Sequence, residues 1–472
     1  MKRFRNIIVL LFAFALLAAA CSSSSDDTTT TAASSGTETT VAAATETTVA
    51  AATETTVAAA TETTVAAADL AGTSVTVFGP ESSDEEAGAL QAALDLLAAD
   101  TGINITYTGA RDFSDQINAQ AAGGNPPDIA IFPQPGKLAD FANQEFILPL
   151  PDAVTATVNA QWPEAFISFG NVDGVQFGVP NKADIKSLVW YDPAAFAENG
   201  YTVPETLDEL WALSATMNAD GNIPWCVGIE SGPATGWTFT DWIEDLILRE
   251  LGADVYDQWV AGDVTFSDDR IKAIWQEVLD EWNAPGNVFA SGGSIAATPF
   301  GDNGQPLVDG DCMMHRQASF YSAFLPEGTV TGPEGIDVFY FPGATTTAKP
   351  VLGGGTLAAA FRDAPEVWAV MDYFATSEYA EARQVAQTEA KDGALSGFLS
   401  ANTQQDMSVY QPIEQSFIAI LVTAEVLRFD GSDLMPAAVG SGTFWTEGTS
   451  AVNGDKTVDE ATAAIDASWP SG

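Results

Sequence analysis

The chain has 472 residues, 46% of them hydrophobic, with 64 acidic against 17 basic side chains and a formal net charge of −47. Such an acidic surface repels phosphate and nucleic acid, which argues against DNA, RNA or an anionic ligand as partner; most of the charge reads as adaptation of a solvated surface to salty surroundings. One histidine, His315, and three cysteines leave no basis for a histidine triad or a multi-histidine metal centre.

The first element is a secretory signal. Lys2, Arg3 and Arg5 precede an apolar run from Ile7 to Leu17, then Ala18-Ala19-Ala20 and Cys21. The run is shorter than the roughly 20 apolar residues of a membrane span and ends in small residues, so residues 1–20 read as a lipoprotein signal peptide. Cys21 is then the lipidation site, and two acyl chains anchor the protein to the extracytoplasmic face of the cell membrane. Ordinary secretion with Cys21 free is the alternative. Residues 21–69 form a tether in which TETTVAAA occurs four times, Thr37 to Ala68. It lacks aromatics and cannot bury enough surface to offset its ordering entropy.

From about Leu70 onward the composition suits two substantial cores. Ser74–Phe78 reads as a strand, Glu85–Ala99 as a helix, Asn104–Tyr107 and Asp128–Phe132 as further strands with an Ala/Gln-rich helix between them. This alternation implies parallel pairing through right-handed crossovers, an α/β lobe. GVPNKADIKSLVWYD then reads as an extended crossover into a strand at Ser187–Tyr191. Helices come next at Leu207–Met217, Trp242–Leu251 and Arg270–Trp282, strands at Asp337–Phe341 and Thr356–Phe361, and a helix from Pro365 to about Ala386.

Four features carry chemistry. PPDIAIFPQPG ends a buried strand where open α/β sheets meet ligands, which places Phe132 and Gln134 at a site; stiffening of a turn is the alternative. Trp237, in a glycine-rich stretch, suits stacking on a sugar face, whereas Trp242 and Leu246 share a core-facing helical face. Asp241, Glu244 and Asp245 lie too close on one helix for a glycosidase pair and read as complementing its dipole. With Cys21 lipidated, Cys226 and Cys312 remain as an even pair in an oxidising compartment, which favours a disulfide over two free buried thiols.

PPDIAIFPQPG, VPNKADIKSLVWYD, PWCVGIESG with ATGW and TDWIED, CMMHRQASF, VLGGGT, and SDLMP with GTFW and KTVDEA resemble, in order and spacing, the extracellular solute-binding lipoproteins of carbohydrate ABC importers, specifically the maltose and alpha-glucoside group. The resemblance implies a two-lobed periplasmic-binding-protein-like fold of type II with three hinge crossings, near Asn181–Asp184, Gly343–Lys349 and Lys391–Gly393. Lobe 1 would comprise 70–182 and 345–392, lobe 2 183–344 and 393–472. It implies ligand contacts from Glu81, Phe132, Gln134, Lys186, Trp237, Arg316, Gln317, Phe320 and Trp445, with Thr356 where relatives often carry an acid. The expectation is a monomeric binding protein without metal or cofactor, taking an oligosaccharide to ABC permease subunits. A lipid-anchored glycoside-active enzyme and a sugar-sensing receptor are the alternatives.

Overall fold

The computed structural model describes residues 70–347, 349–392 and 394–470. The signal, Cys21 and the tether lie outside these residues, as do Ala348 and Gly393 in two of the expected hinges.

Two sheets organise the chain, one per lobe. In the first, Ser74–Gly79 pairs in parallel with Asn104–Gly109 and with Ile129–Phe132. The connections are the helices Asp84–Thr101 and Phe113–Ala122. The former starts where the Ser83 hydroxyl accepts from the Glu86 amide at 3.1 Å, gains from three acidic residues in its first turn, and stops at Gly102 in the left-handed region. The second sheet runs in the order 337–340, 188–191, 314–316, 225–226, 288–289.

The lobes are joined by long strands. Val351–Ala360 pairs antiparallel with Ile129–Phe132 in the first lobe and with Val179–Ile185 along its middle. Val179–Ile185 then leads directly into Leu188–Tyr191 of the second sheet. At the crossing the register shifts between Thr356 and Leu357, and Gly355 has φ 154°; a Cβ there would overlap the Lys182 carbonyl, so only glycine lets the two strands approach.

Several expectations change. The short strand Leu427–Phe429 joins the first sheet, paired in parallel with Val351–Gly353, although the resemblance puts 393–472 in the second lobe. The helix expected from Pro365 to Ala386 is two helices, Pro365–Phe374 and Ser377–Ala390, because the Thr376 side chain caps a new start by accepting from the Tyr379 amide. The helix expected at Trp242–Leu251 begins at Trp237, and its last turn, Ile247–Leu251, is π-helical. That wider turn sets Arg249, wholly buried, against Asp245 and the carbonyls of Phe341 and Pro342.

Tryptophans fill the second lobe. Trp225, Trp259 and Trp275 are fully buried, and Trp242 packs edge-to-face on Trp225 at 5.0 Å and Trp282 at 5.6 Å. Each such pair adds about 0.5–1.5 kcal/mol beyond burial. Cys226 and Cys312 are disulfide-bonded with Cα atoms 5.5 Å apart, tying the Trp225–Cys226 strand to the chain entering Met314–Arg316 across 86 residues. His315 beside them hydrogen-bonds through Nδ1 to the Cys226 carbonyl at 2.9 Å; burial lowers its pKa to about 4 and keeps it neutral.

Candidate functional site

A cleft of about 1430 Å³, open solvent included, is lined from both lobes and from the crossing strands. Its first wall is polar. Glu81, Ser82 and Ser83 come from the loop after the first strand, Asp112 and Ser114 from the start of the Phe113–Ala122 helix, and Gln134 from the loop after Phe132. Its second wall is aromatic: Trp237, Phe300, Phe320 and Phe324, with Trp445 beside them.

The aromatic wall is held by its own packing. Trp237 lies edge-on to Phe300 at 5.1 Å and tilted against Phe320 at 6.0 Å, and Phe300 lies edge-on to Phe324 at 5.1 Å. Trp237 opens its helix rather than sitting in a glycine-rich loop. Gly236 before it has φ 113°, and a Cβ there would overlap the Trp445 carbonyl, so glycine allows the starts of two aromatic-bearing helices to touch. Trp445 comes directly after a π-helical segment, Val439–Phe444, and its Nε1 donates to the Ser432 hydroxyl at 3.3 Å. A π turn inserts one residue per turn and so rotates the next helical turn, which aims this ring at the cleft.

Beneath the walls lie two ion networks. In the first, the Glu81 carboxylate sits between Lys182 at 3.4 Å and Arg383 at 3.2 Å. Burial opposes its ionisation, yet Arg383 and Lys182 hold its pKa below the usual range. Lys182 also stands 5.5 Å over the Phe320 ring. In the second, the Lys186 ammonium bridges Asp241 at 3.0 Å and Asp430, with the Trp237 ring 5.5 Å away. Burial works against that charge, but Asp241 and Asp430 keep its pKa well above the usual value. Asp430 is correspondingly held low despite burial, chiefly by Lys186, while burial raises Asp241 to about 7.

Glu244 accepts from the amides of Gly431 at 2.7 Å and Ser432 at 3.1 Å, and Asp245 accepts from Arg316 at 2.7 Å. Asp241, Glu244 and Asp245 are thus 0–1% exposed and well inside the helix. They form the floor's charge network, so the reading of dipole complementation in a first turn is corrected. Lys186 and Arg316 are far away in sequence, which hid most of the pairing; only Arg249, four residues after Asp245, lay within reach of helical spacing.

Of the nine residues expected at the site, Glu81, Gln134, Lys186, Trp237, Phe320 and Trp445 line the cleft. Phe132 does not: it is wholly buried, edge-on to Phe113 at 5.6 Å and Phe141 at 5.2 Å, because the strand turns it into the first lobe's core. Arg316 and Gln317 also lie off the cleft. Arg316 serves Asp245 from beneath, and Gln317 accepts from Trp190 Nε1 through its carbonyl and from the Ala318 amide through its side chain. Thr356 lines the cleft, its hydroxyl donating to Asn181. Sequence reasoning missed Phe300, Phe324, Asp430 and Asp433. The SDLMP block pointed to the neighbourhood of the two acids; nothing in the periodicity distinguished the two phenylalanines from core.

Comparison with known proteins places this geometry. A family model described as bacterial extracellular solute-binding protein matches residues 81–381. The chain is 36% identical over 419 residues, 85% of it and 88% of the relative, to the alpha-glucosides-binding periplasmic protein AglE of Rhizobium meliloti. It is 37% identical over 407 residues, 84% of it and 92% of the relative, to the osmoprotective compounds-binding protein GgtB of Synechocystis sp.. A solved chitin oligosaccharide binding protein shares the fold at TM-score 0.70 and 19% identity, covering 83% of this chain and 97% of that one. Among the described residues no helix is long and apolar enough to cross a membrane. The family match and the two long alignments together show that the chain belongs to the bacterial extracellular solute-binding proteins.

Proposed function

We propose that the cleft captures an alpha-linked glucoside oligosaccharide and that the protein delivers it to the permease of an ABC importer. The observation that carries this is the division of the cleft into an aromatic wall facing a polar wall. Sugar rings present C–H faces and hydroxyl rims, so they suit one wall that stacks and one that hydrogen-bonds. The alpha-glucoside specificity named for the Rhizobium relative supports the ligand class.

Glu81, Gln134, Lys186, Trp237, Phe320 and Trp445 are the residues we assign to ligand contact, with Phe300 added to the stacking wall. We assign lobe 1 to 70–182 and 345–392 and lobe 2 to 183–344 and 393–472, except that 427–429 belongs with lobe 1. We place the hinge at three crossings, near residues 181–184, 343–349 and 391–393, and rotation about them brings the walls together on the ligand. The protein acts as a monomer held to the extracytoplasmic face of the membrane through lipidated Cys21; mass spectrometry of the mature protein tests the anchor, and an unmodified Cys21 overturns it.

Isothermal titration with maltose, trehalose and sucrose, against phosphate and a peptide as controls, tests the function. Binding of a sugar with silence from both controls is the expected result. No heat or thermal shift with any sugar overturns the assignment.

A further inference from the structure

The floor of the cleft holds more carboxyl groups than cations to meet them. Asp241, Glu244 and Asp430 each place one oxygen within 4.8 Å of the others. Asp433 lines the cleft beside them as a fourth carboxyl, its amide donating to Asp430 at 2.8 Å. Against these four stand Lys186, shared between Asp241 and Asp430, and Arg316. Arg316 is spent elsewhere, 2.7 Å from Asp245 but 3.8 Å from Asp241.

A separate observation comes from the crossing strand. Asp184 lines the cleft at 6% exposure, and its Oδ1 has no hydrogen-bond partner among the described residues, while Oδ2 is 3.9 Å from Lys182. A buried carboxylate oxygen without a donor is costly, and an occupant of the cleft that supplies one relieves the cost. A hydroxyl supplies a donor but no charge; a protonated amine supplies both.

We infer that the floor of the cleft is an ammonium subsite, so that a glycoside carrying a protonated amine binds ahead of its neutral counterpart. This rests on the sugar-binding reading above and narrows its ligand class. The groups that line the subsite are Asp430, Asp433 and Lys186 from the second-lobe side, Gln134 from the first lobe, and Asp184 and Lys182 from the crossing; Asp241 and Glu244 lie buried beneath them, Glu244 already accepting from the Gly431 and Ser432 amides. The pKa values of Glu244 and Asp433 are raised by burial and then by Asp430, as expected where protons stand in for a missing cation.

The test is isothermal titration of the full-length protein with two matched sets: maltose and its 2-amino-2-deoxy analogue, and trehalose with its 2-amino and 6-amino analogues. The expected result at pH 6 is that at least one amino sugar binds about tenfold more tightly than its neutral parent. That preference disappears at a pH where the ligand amine is neutral, and it shrinks in Asp433→Asn. Neutral and amino sugars binding alike overturn the inference and leave the sugar reading intact, whereas silence from every sugar overturns both. Calcium ions that bind and compete with the amino sugar would overturn it in favour of a metal site, and so would an amine preference that Asp433→Asn does not alter.

Discussion

The two ion networks under the cleft are opposites. Glu81 is one carboxylate held by two cations, Lys182 and Arg383; Lys186 is one cation held by two carboxylates, Asp241 and Asp430. The first joins the crossing strand to the Ser377–Ala390 helix of the first lobe and leaves Glu81 with its charge answered. The second joins Lys186, just past the end of that strand, to the second lobe and leaves acidity over, with Glu244 and Asp433 both raised. A balanced network fixes geometry, and an unbalanced one also sets the charge a ligand meets.

The sharpest way to break the contrast is to remove the single cation. Lys186→Met takes from buried Asp241 and Asp430 the ammonium they share, and breaking such a buried pair costs about 3–5 kcal/mol of folding stability. Urea unfolding checks it, and a loss below about 1 kcal/mol would mean the two carboxyls relax by sharing a proton. In binding, Trp237→Ala removes the centre of the aromatic wall and should weaken sugar affinity by about 2–4 kcal/mol, read by titration calorimetry. Gln134→Ala, on the polar wall, removes one hydrogen bond and should cost about 1 kcal/mol in the same assay.

The networks should also answer pH in opposite directions. Glu81 is lowered in the folded state, so its contribution is present above the unfolded value of about 4.3 and is lost as pH falls through the folded value. Glu244 and Asp433 are raised, so their contribution is lost as pH rises from the unfolded values, near 4, through the folded ones; Asp241, at about 7, places part of that loss near neutrality. Thermal unfolding of the unliganded protein should therefore peak at mildly acid pH, between these two limbs. A flat profile from pH 5 to 8 would remove the contrast.

Local signals made the fold legible. Alternation of strand and helix gave the parallel pairing, and the helix read at Glu85–Ala99 falls inside Asp84–Thr101, whose ends Ser83 and Gly102 set in the structure. In the site, local pattern reached only Gln134 and Trp237, while Glu81, Lys186, Phe320 and Trp445 came from the resemblance. Gln134 continues from its strand directly into the cleft, but Phe132, two residues earlier, turns the other way into the core. The floor was illegible because Lys186, Asp241, Arg316 and Asp430 come from four distant segments, and a helix carrying three acids looks solvated until its partners are known.

The smallest effect isolates the surplus charge itself. Asp433→Asn keeps the shape and the acceptor available to Gln134 while removing the ability to ionise, which the folded protein resists at this position. The variant should gain about 1 kcal/mol of stability at pH 8, where the unfolded chain's aspartate is ionised and the folded one carries the penalty. At pH 3.5 and below, both states of the wild-type carboxyl approach protonation and the gain should fade. A gain that persists unchanged in acid would assign the effect to packing, and the second network would then be no less balanced than the first.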